Sequence, residues 1–143
     1  MRVQKVEAFL KTKAEFSFER DQRFRSSETP WVIWRVYPTG DERRAAKFDG
    51  AEERLVRIDV QLEVYDSEEA ARKALAVAVA DVSAPHLEDW KWRRGGDCHE
   101  WSGLLACSLD GVKFTVNGTR ELARRVAETL GDAIEAGEPK DAR

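Results

Sequence analysis

Alternation of apolar and polar side chains is clearest over residues 55–65. One face of this segment is apolar, and it comprises Val56, Ile58, Val60, Leu62 and Val64. A period of two is typical of a half-buried strand in an antiparallel sheet. A shorter alternation includes Phe16 and Phe18, and residues 31–37 are mostly β-branched or aromatic, which favours a strand. We therefore predict three strands in the first half of the chain, separated by polar loops.

Helical spacing of apolar positions indicates three helices, near residues 2–12, 67–82 and 119–136. The second helix follows Asp66 and Ser67, and either side chain can accept hydrogen bonds from the first turn. Its middle, residues 74–80, is apolar on all sides, so we expect it to be buried on more than one side or to lie in an oligomer contact, such as a homodimer. A strand is the alternative there, because Ala and Val alternate, but the capping signal favours a helix.

Three short strands follow, over residues 98–101, 104–109 and 112–117. They are joined by Ser102-Gly103 and Asp110-Gly111. Asp-Gly is a strong signal for a two-residue hairpin turn, and Ser-Gly is a weaker one. A further short strand through Trp90–Arg93 is also compatible with the pattern.

The order of elements is α-β-β-β-α-(β)-β-β-β-α. It predicts an α+β fold, with helices packed on a mainly antiparallel sheet of about five to seven strands. Residues 1–137 are expected to form a single domain, and residues 138–143 a charged tail.

Two segments carry a family resemblance. They are Val64-Tyr65-Asp66-Ser67-Glu68-Glu69-Ala70-Ala71 and Leu109-Asp110-Gly111-Val112-Lys113-Phe114-Thr115-Val116, followed by the closing helix. Together, over residues 54–136, they resemble PsbP/Mog1-like small α+β domains of actinobacterial exported lipoproteins and sensor ectodomains. The resemblance implies a mostly non-enzymatic, binding or scaffolding role.

The family's export signal has no counterpart in this sequence. The N-terminal residues contain neither a secretory signal nor a lipidation cysteine. We therefore expect a cytoplasmic protein if the chain is full-length, and an exported one if a signal has been removed.

Composition narrows the classes of function. Of 143 residues, 42% are apolar and 36% charged, and the formal net charge is −3. These values exclude disordered and collagen-like chains, and the negative charge disfavours nucleic-acid binding. No apolar stretch is long enough to span a membrane. Neither a phosphate loop, a dinucleotide fingerprint, a zinc-protease helix nor a nucleophile elbow is present, so no cofactor or metal is expected.

Tryptophan and arginine provide the candidate binding residues. Trp90 and Trp92 share a face, and Arg93 and Arg94 follow them. Aromatic side chains beside arginines can anchor a protein or a small anionic partner. Trp34 is a further candidate binding residue. Trp31 and Trp34 lie three residues apart on a predicted strand, so they must face opposite sides of the sheet, and at most one of them belongs to the main core. The alternative is a small second core, in which the basic side chains cover the rings.

The leading hypothesis is accordingly a non-enzymatic binding or accessory domain, in the manner of an immunity protein, a secretion accessory or a sensor. The alternative is a small enzyme with a pocket between sheet and helices, using His99, Glu100 or Asp59 as acid or base. Because His99 and Glu100 are adjacent on a strand, they must point to opposite faces. His86, with Glu88 and Asp89, could bind a cation only with another ligand.

The two cysteines test the hairpin register. If Ser102-Gly103 is a two-residue turn, Cys98 pairs with Cys107 at a non-hydrogen-bonded position. There the Cα atoms approach to about 4.5 Å, within the range that a disulfide can bridge. We expect the thiols to be close together and reduced, because no export signal is present.

Overall fold

Three helices and six strands make up the part of the chain that the structure describes, in the order predicted from the sequence. The computed structural model describes residues 2–21, 31–39, 57–87 and 90–136. The helices are α1 (Arg2–Leu10), α2 (Glu68–Ala80) and α3 (Arg120–Ala136). The strands are β1 (Phe16–Arg20), β2 (Trp31–Pro38), β3 (Ile58–Val64), β4 (Asp97–Trp101), β5 (Leu104–Leu109) and β6 (Val112–Asn117).

All six strands form one antiparallel sheet with the order β1-β2-β3-β6-β5-β4. Each strand pairs with its neighbour along the chain except where β3 pairs with β6. This non-sequential pair places the two halves of the chain side by side and leaves β1 and β4 as the edges. The predicted α+β class and antiparallel sheet are thereby confirmed.

The main core lies between the sheet and the helices α1 and α3, on what we call the inner face. Val32, Trp34 and Val36 of β2 reach this core, as do alternate residues of β3, β5 and β6. Helix α2 packs on the opposite, outer face, where Leu75 meets Trp101 and Ala106 in a smaller cluster. The alternation predicted for residues 55–65 holds from Ile58 onward, whereas Val56 lies outside the described residues.

Turn and cap chemistry explains where the elements begin. Asp110 and Gly111 have φ of 49° and 81°, so the β5–β6 turn uses the left-handed conformation that Asp-Gly favours. Glu68, at the start of α2, accepts a hydrogen bond from the Gly111 amide at 3.0 Å. Of the two predicted capping residues, Ser67 is the cap, because its hydroxyl accepts from the Ala70 amide.

Helix α2 is less buried within the chain than we predicted. We expected its apolar middle to be buried on more than one side or in an oligomer contact. Within the chain the helix buries only Ala71 and Leu75, and Val77 is 65% exposed. The helix therefore packs on the sheet with one side only, and its other side is exposed within the described part of the chain. The oligomer contact stays a prediction, and none of the described helices is long and apolar enough to cross a membrane.

The strand suggested through Trp90–Arg93 is also wrong. This segment joins no strand of the sheet. Its tryptophans pack against the main core instead. The polar loops predicted over residues 20–29 and 38–54 lie mostly outside the described residues, and so does the tail at 138–143.

The cysteine pair confirms the hairpin register. Cys98 lies opposite Cys107, and their Cα atoms are 4.0 Å apart, as a non-hydrogen-bonded pair requires. The two sulfurs are joined in a disulfide, in contrast to the reduced state that we expected.

We predict that the protein, unfolded without reductant, contains no thiol that reacts with Ellman's reagent, because both cysteines are bonded. After reduction, two thiols should react. Two reactive thiols in the untreated, unfolded protein would instead support the reduced state that the sequence suggested.

Candidate functional site

A groove with a volume of about 340 Å³ lies where α1 meets β1 and β2. Its apolar floor comprises Leu10, Phe16, Phe18 and Trp34. Its polar rim comprises Glu7, Lys11, Lys13, Ser17 and Thr39, and Ala14 also lines it. We call it the α1–β1 groove. A mostly apolar concavity with a few polar groups is the usual form of a small-molecule site, and its volume is near the lower end of the range of about 300–1,000 Å³.

Glu7 organises the groove. Its carboxylate accepts hydrogen bonds from the Trp34 indole nitrogen at 2.9 Å and from the Arg20 guanidinium at 3.0 and 2.5 Å. Trp34 is only 1% exposed, so its N–H needs this buried partner. The three side chains come from α1, β1 and β2, and their bonds hold the elements that form the groove in a fixed arrangement.

The rim carries an excess of positive charge. Arg20 balances Glu7, whereas Lys11 and Lys13 form no ion pair with any carboxylate in the described ranges. Both lysines are exposed, in the turn that follows α1. The Lys13 ammonium lies 4.8 Å from the centre of the Phe9 ring, a contact that does not neutralise its charge. The groove therefore combines an apolar floor with two exposed lysines on its rim.

A second cavity, of about 300 Å³, lies along α3 and is lined by Arg124, Arg125, Glu128 and Asp132, among others. Its charged groups already have partners. Arg125 pairs with Glu15, Arg124 with Glu100, and the two acidic residues with Arg94. It thus has no cation or anion left for a ligand comparable to the lysines of the α1–β1 groove.

The predicted Trp–Arg site is largely engaged within the protein. Trp90 and Trp92 contact each other edge to face at 5.9 Å, and Trp92 packs on Phe114 of the core at 6.3 Å. The Trp92 indole also donates a hydrogen bond to the Gly95 carbonyl. Arg93 is exposed. The two tryptophans therefore pack against the main core and do not form a separate small core. A binding role for the segment stays a prediction.

Arg94 fastens this segment to α3. It pairs with Glu128, Asp132 and Glu135, and only 17% of its side chain is exposed. Gly131 makes room for it, because a Cβ at that position would lie 2.5 Å from the Arg94 Nε. Arg94 is therefore a structural residue here and offers little charge to a partner.

The three residues of the enzyme hypothesis do not meet. Glu100 faces the inner side, is 4% exposed and holds Arg124 through two hydrogen bonds of 2.7 and 2.6 Å. His99 faces the outer side. Asp59 lies on β3, three strand spacings or roughly 14 Å away, and pairs with Arg57. Acid–base partners need hydrogen-bond reach, so this set provides no joint acid–base chemistry.

His99 has a partner that the sequence did not indicate. The His86 Nε2 lies 3.1 Å from the His99 Nδ1, and both rings contact Trp101. His86 is brought there by the Leu87 amide, which donates a 2.7 Å hydrogen bond to the Glu100 carbonyl of β4. Glu88 and Asp89, the proposed companions of His86 in a cation site, lie outside the described residues.

Burial lowers the pKa of His99 below its ordinary value of 6.5, and the charge of His86 lowers it further, while Asp97 opposes both effects. The folded protein therefore binds a proton at His99 less readily than the unfolded chain. We predict that the free energy of unfolding is largest above pH 6.5 and falls as the pH decreases below it. Urea denaturation at pH 7.5, 6.5 and 5.5 measures this slope, and His99→Gln should reduce it. An unchanged slope in that variant would contradict the assignment.

Of the predicted binding residues, only Trp34 lies in the α1–β1 groove. Sequence analysis did not identify Glu7, Lys11 or Lys13, although a glutamate among the apolar positions of a short helix was a usable signal. Comparison with family models, with curated proteins and with solved structures found no match to this chain.

Proposed function

We propose that the protein is a non-enzymatic binding domain, and that the α1–β1 groove takes a small anion with a short apolar chain or ring. The observation that carries this proposal is the combination of an apolar floor with two lysines that have no carboxylate partner in the described ranges. An apolar group would occupy the floor, and its carboxylate or similar group would lie between Lys11 and Lys13.

Two further observations support the proposal. The Glu7–Trp34–Arg20 contacts fix the groove before a ligand arrives, which lowers the entropy cost of binding. The groups suggested for an enzyme lie on different faces or strands. The resemblance to PsbP/Mog1-like domains points the same way, since that family is mostly non-enzymatic. Of the sensor, secretion-accessory and immunity interpretations, a small-molecule groove fits the sensor best.

Isothermal titration calorimetry with octanoate and octan-1-ol tests this function. The two probes share an apolar chain, and only octanoate is charged. We expect octanoate to bind with a one-to-one ratio and at least about fivefold more tightly than the alcohol, which corresponds to roughly 1 kcal/mol for partly exposed charges.

Variants of the rim lysines test whether octanoate binds in the α1–β1 groove. The double variant Lys11→Gln/Lys13→Gln should weaken octanoate binding at least about fivefold and leave octanol binding unchanged. Lys5→Gln is the matched control, because Lys5 is exposed on α1 but does not line the groove. Equal affinities of parent and double variant for octanoate would overturn the proposal, and so would an absence of binding by the parent.

A further inference from the structure

The His86–His99 pair has the geometry of a metal chelate. Two imidazoles on one tetrahedral ion, with metal–nitrogen bonds of about 2.0–2.1 Å, have their ligating nitrogens roughly 3.3 Å apart and their ring centres roughly 5.2 Å apart. The observed separations are 3.1 Å between Nε2 and Nδ1 and 5.2 Å between the ring centres.

Two independent parts of the chain hold these rings in place. His99 is fixed by β4, and its ring stacks on Trp101 with an interplanar angle of 29°. His86 is held beside β4 by the hydrogen bond between Leu87 and Glu100, and its ring meets Trp101 edge-on at 5.5 Å. Both ligands are thus positioned in the folded protein, and binding would order little additional chain.

We propose that His86 and His99 form a binding site for a divalent transition-metal ion of the Zn²⁺, Ni²⁺ and Cu²⁺ type. Neutral imidazole suits these ions, and Mg²⁺ and Ca²⁺ prefer oxygen ligands. The described residues contain no group of three or more His, Cys, Asp or Glu side chains that could hold an ion. With water as its remaining ligands, such an ion would occupy an open site.

The site lies on the outer face at the β4 edge, whereas the α1–β1 groove lies at the opposite edge of the sheet, formed by β1. The two proposals therefore concern different sites and can be tested independently.

Calorimetric titration of the tag-free, full-length chain with Zn²⁺, Ni²⁺ and Mg²⁺ chlorides tests the site. We expect one Zn²⁺ or Ni²⁺ ion per chain and no binding of Mg²⁺. His86→Gln and His99→Gln should each weaken Zn²⁺ binding at least about tenfold, since even outer-shell changes at metal sites cost 10- to 100-fold. Glu69→Gln, at an exposed carboxylate on α2, is the control and should bind like the parent.

A second measurement shows where on the protein the metal ion binds. In a ¹⁵N–¹H correlation spectrum, sub-stoichiometric Cu²⁺ should broaden the amide signals of Ala84, His86, Leu87 and residues 97–101 first. His86 is exposed, so His86→Gln should keep its fold and remain informative if His99→Gln does not. Parent-like Zn²⁺ affinity in His86→Gln would overturn the proposal and leave the pair as a hydrogen bond. Broadening centred elsewhere, or no Zn²⁺ binding by the parent, would also overturn it.

Discussion

Ile58→Asp should destabilise the protein by about 4 kcal/mol or more. Ile58 lies on β3, has no solvent exposure, and faces the core from the middle of the sheet. Its packing is tight, because a Cβ added at Gly118 would lie 3.0 Å from the Ile58 Cγ1. Aspartate would leave a charge there without a partner, which is among the costliest substitutions in a protein core.

The matched control is Gln61→Ala, on the exposed side of the same strand. We expect it to change the free energy of unfolding by less than about 0.5 kcal/mol. Urea denaturation of both variants measures the difference. If Ile58→Asp unfolds at the same urea concentration as the parent, the orientation of β3 is wrong.

The second large effect concerns the Glu100–Arg124 ion pair. It joins the edge strand β4 to α3, and the Glu100 side chain is 4% exposed against 25% for Arg124. Arg124→Leu would leave the Glu100 carboxylate buried without its partner. We expect a loss of about 3 kcal/mol, the lower end of the range for breaking a buried pair, because Arg124 is partly exposed.

The double variant Glu100→Leu/Arg124→Leu distinguishes the interaction between the two side chains from their contacts with other residues. Replacing both charges removes the unpaired carboxylate, so this variant should be more stable than Arg124→Leu alone. Chemical denaturation of the parent, both single variants and the double variant completes the cycle. Additive losses would show that the two side chains do not interact as the structure describes.

Local chemistry made much of the fold predictable. Asp110-Gly111 and Ser102-Gly103 specify two-residue turns, and these turns fix the register of β4, β5 and β6, including the opposition of Cys98 and Cys107. Alternation in β3 predicted which of its residues face the core. These signals depend on residues within one element or one turn, where spacing alone determines the geometry.

The candidate sites depend on contacts that spacing does not determine. Glu7 and Trp34 are 27 residues apart, and they meet only because α1 packs over the β1–β2 end of the sheet. His86 and His99 are 13 residues apart, and they meet beside β4. The sequence did not indicate that Arg94 forms ion pairs with three carboxylates of α3. The pairing of β3 with β6, which joins the two halves of the sheet, also has no local sequence signal.

The most direct test of the proposed function is a titration of the ¹⁵N-labelled protein with octanoate, followed by ¹⁵N–¹H correlation spectra. We predict saturable shifts concentrated in residues 7–18 and 39 and at the Trp34 indole N–H, which is held by Glu7 beside the groove. Octan-1-ol at the same concentrations should give smaller shifts at Lys11 and Lys13. Largest shifts in the segment 90–94, or shifts spread over the chain without saturation, would contradict a binding domain that uses the α1–β1 groove.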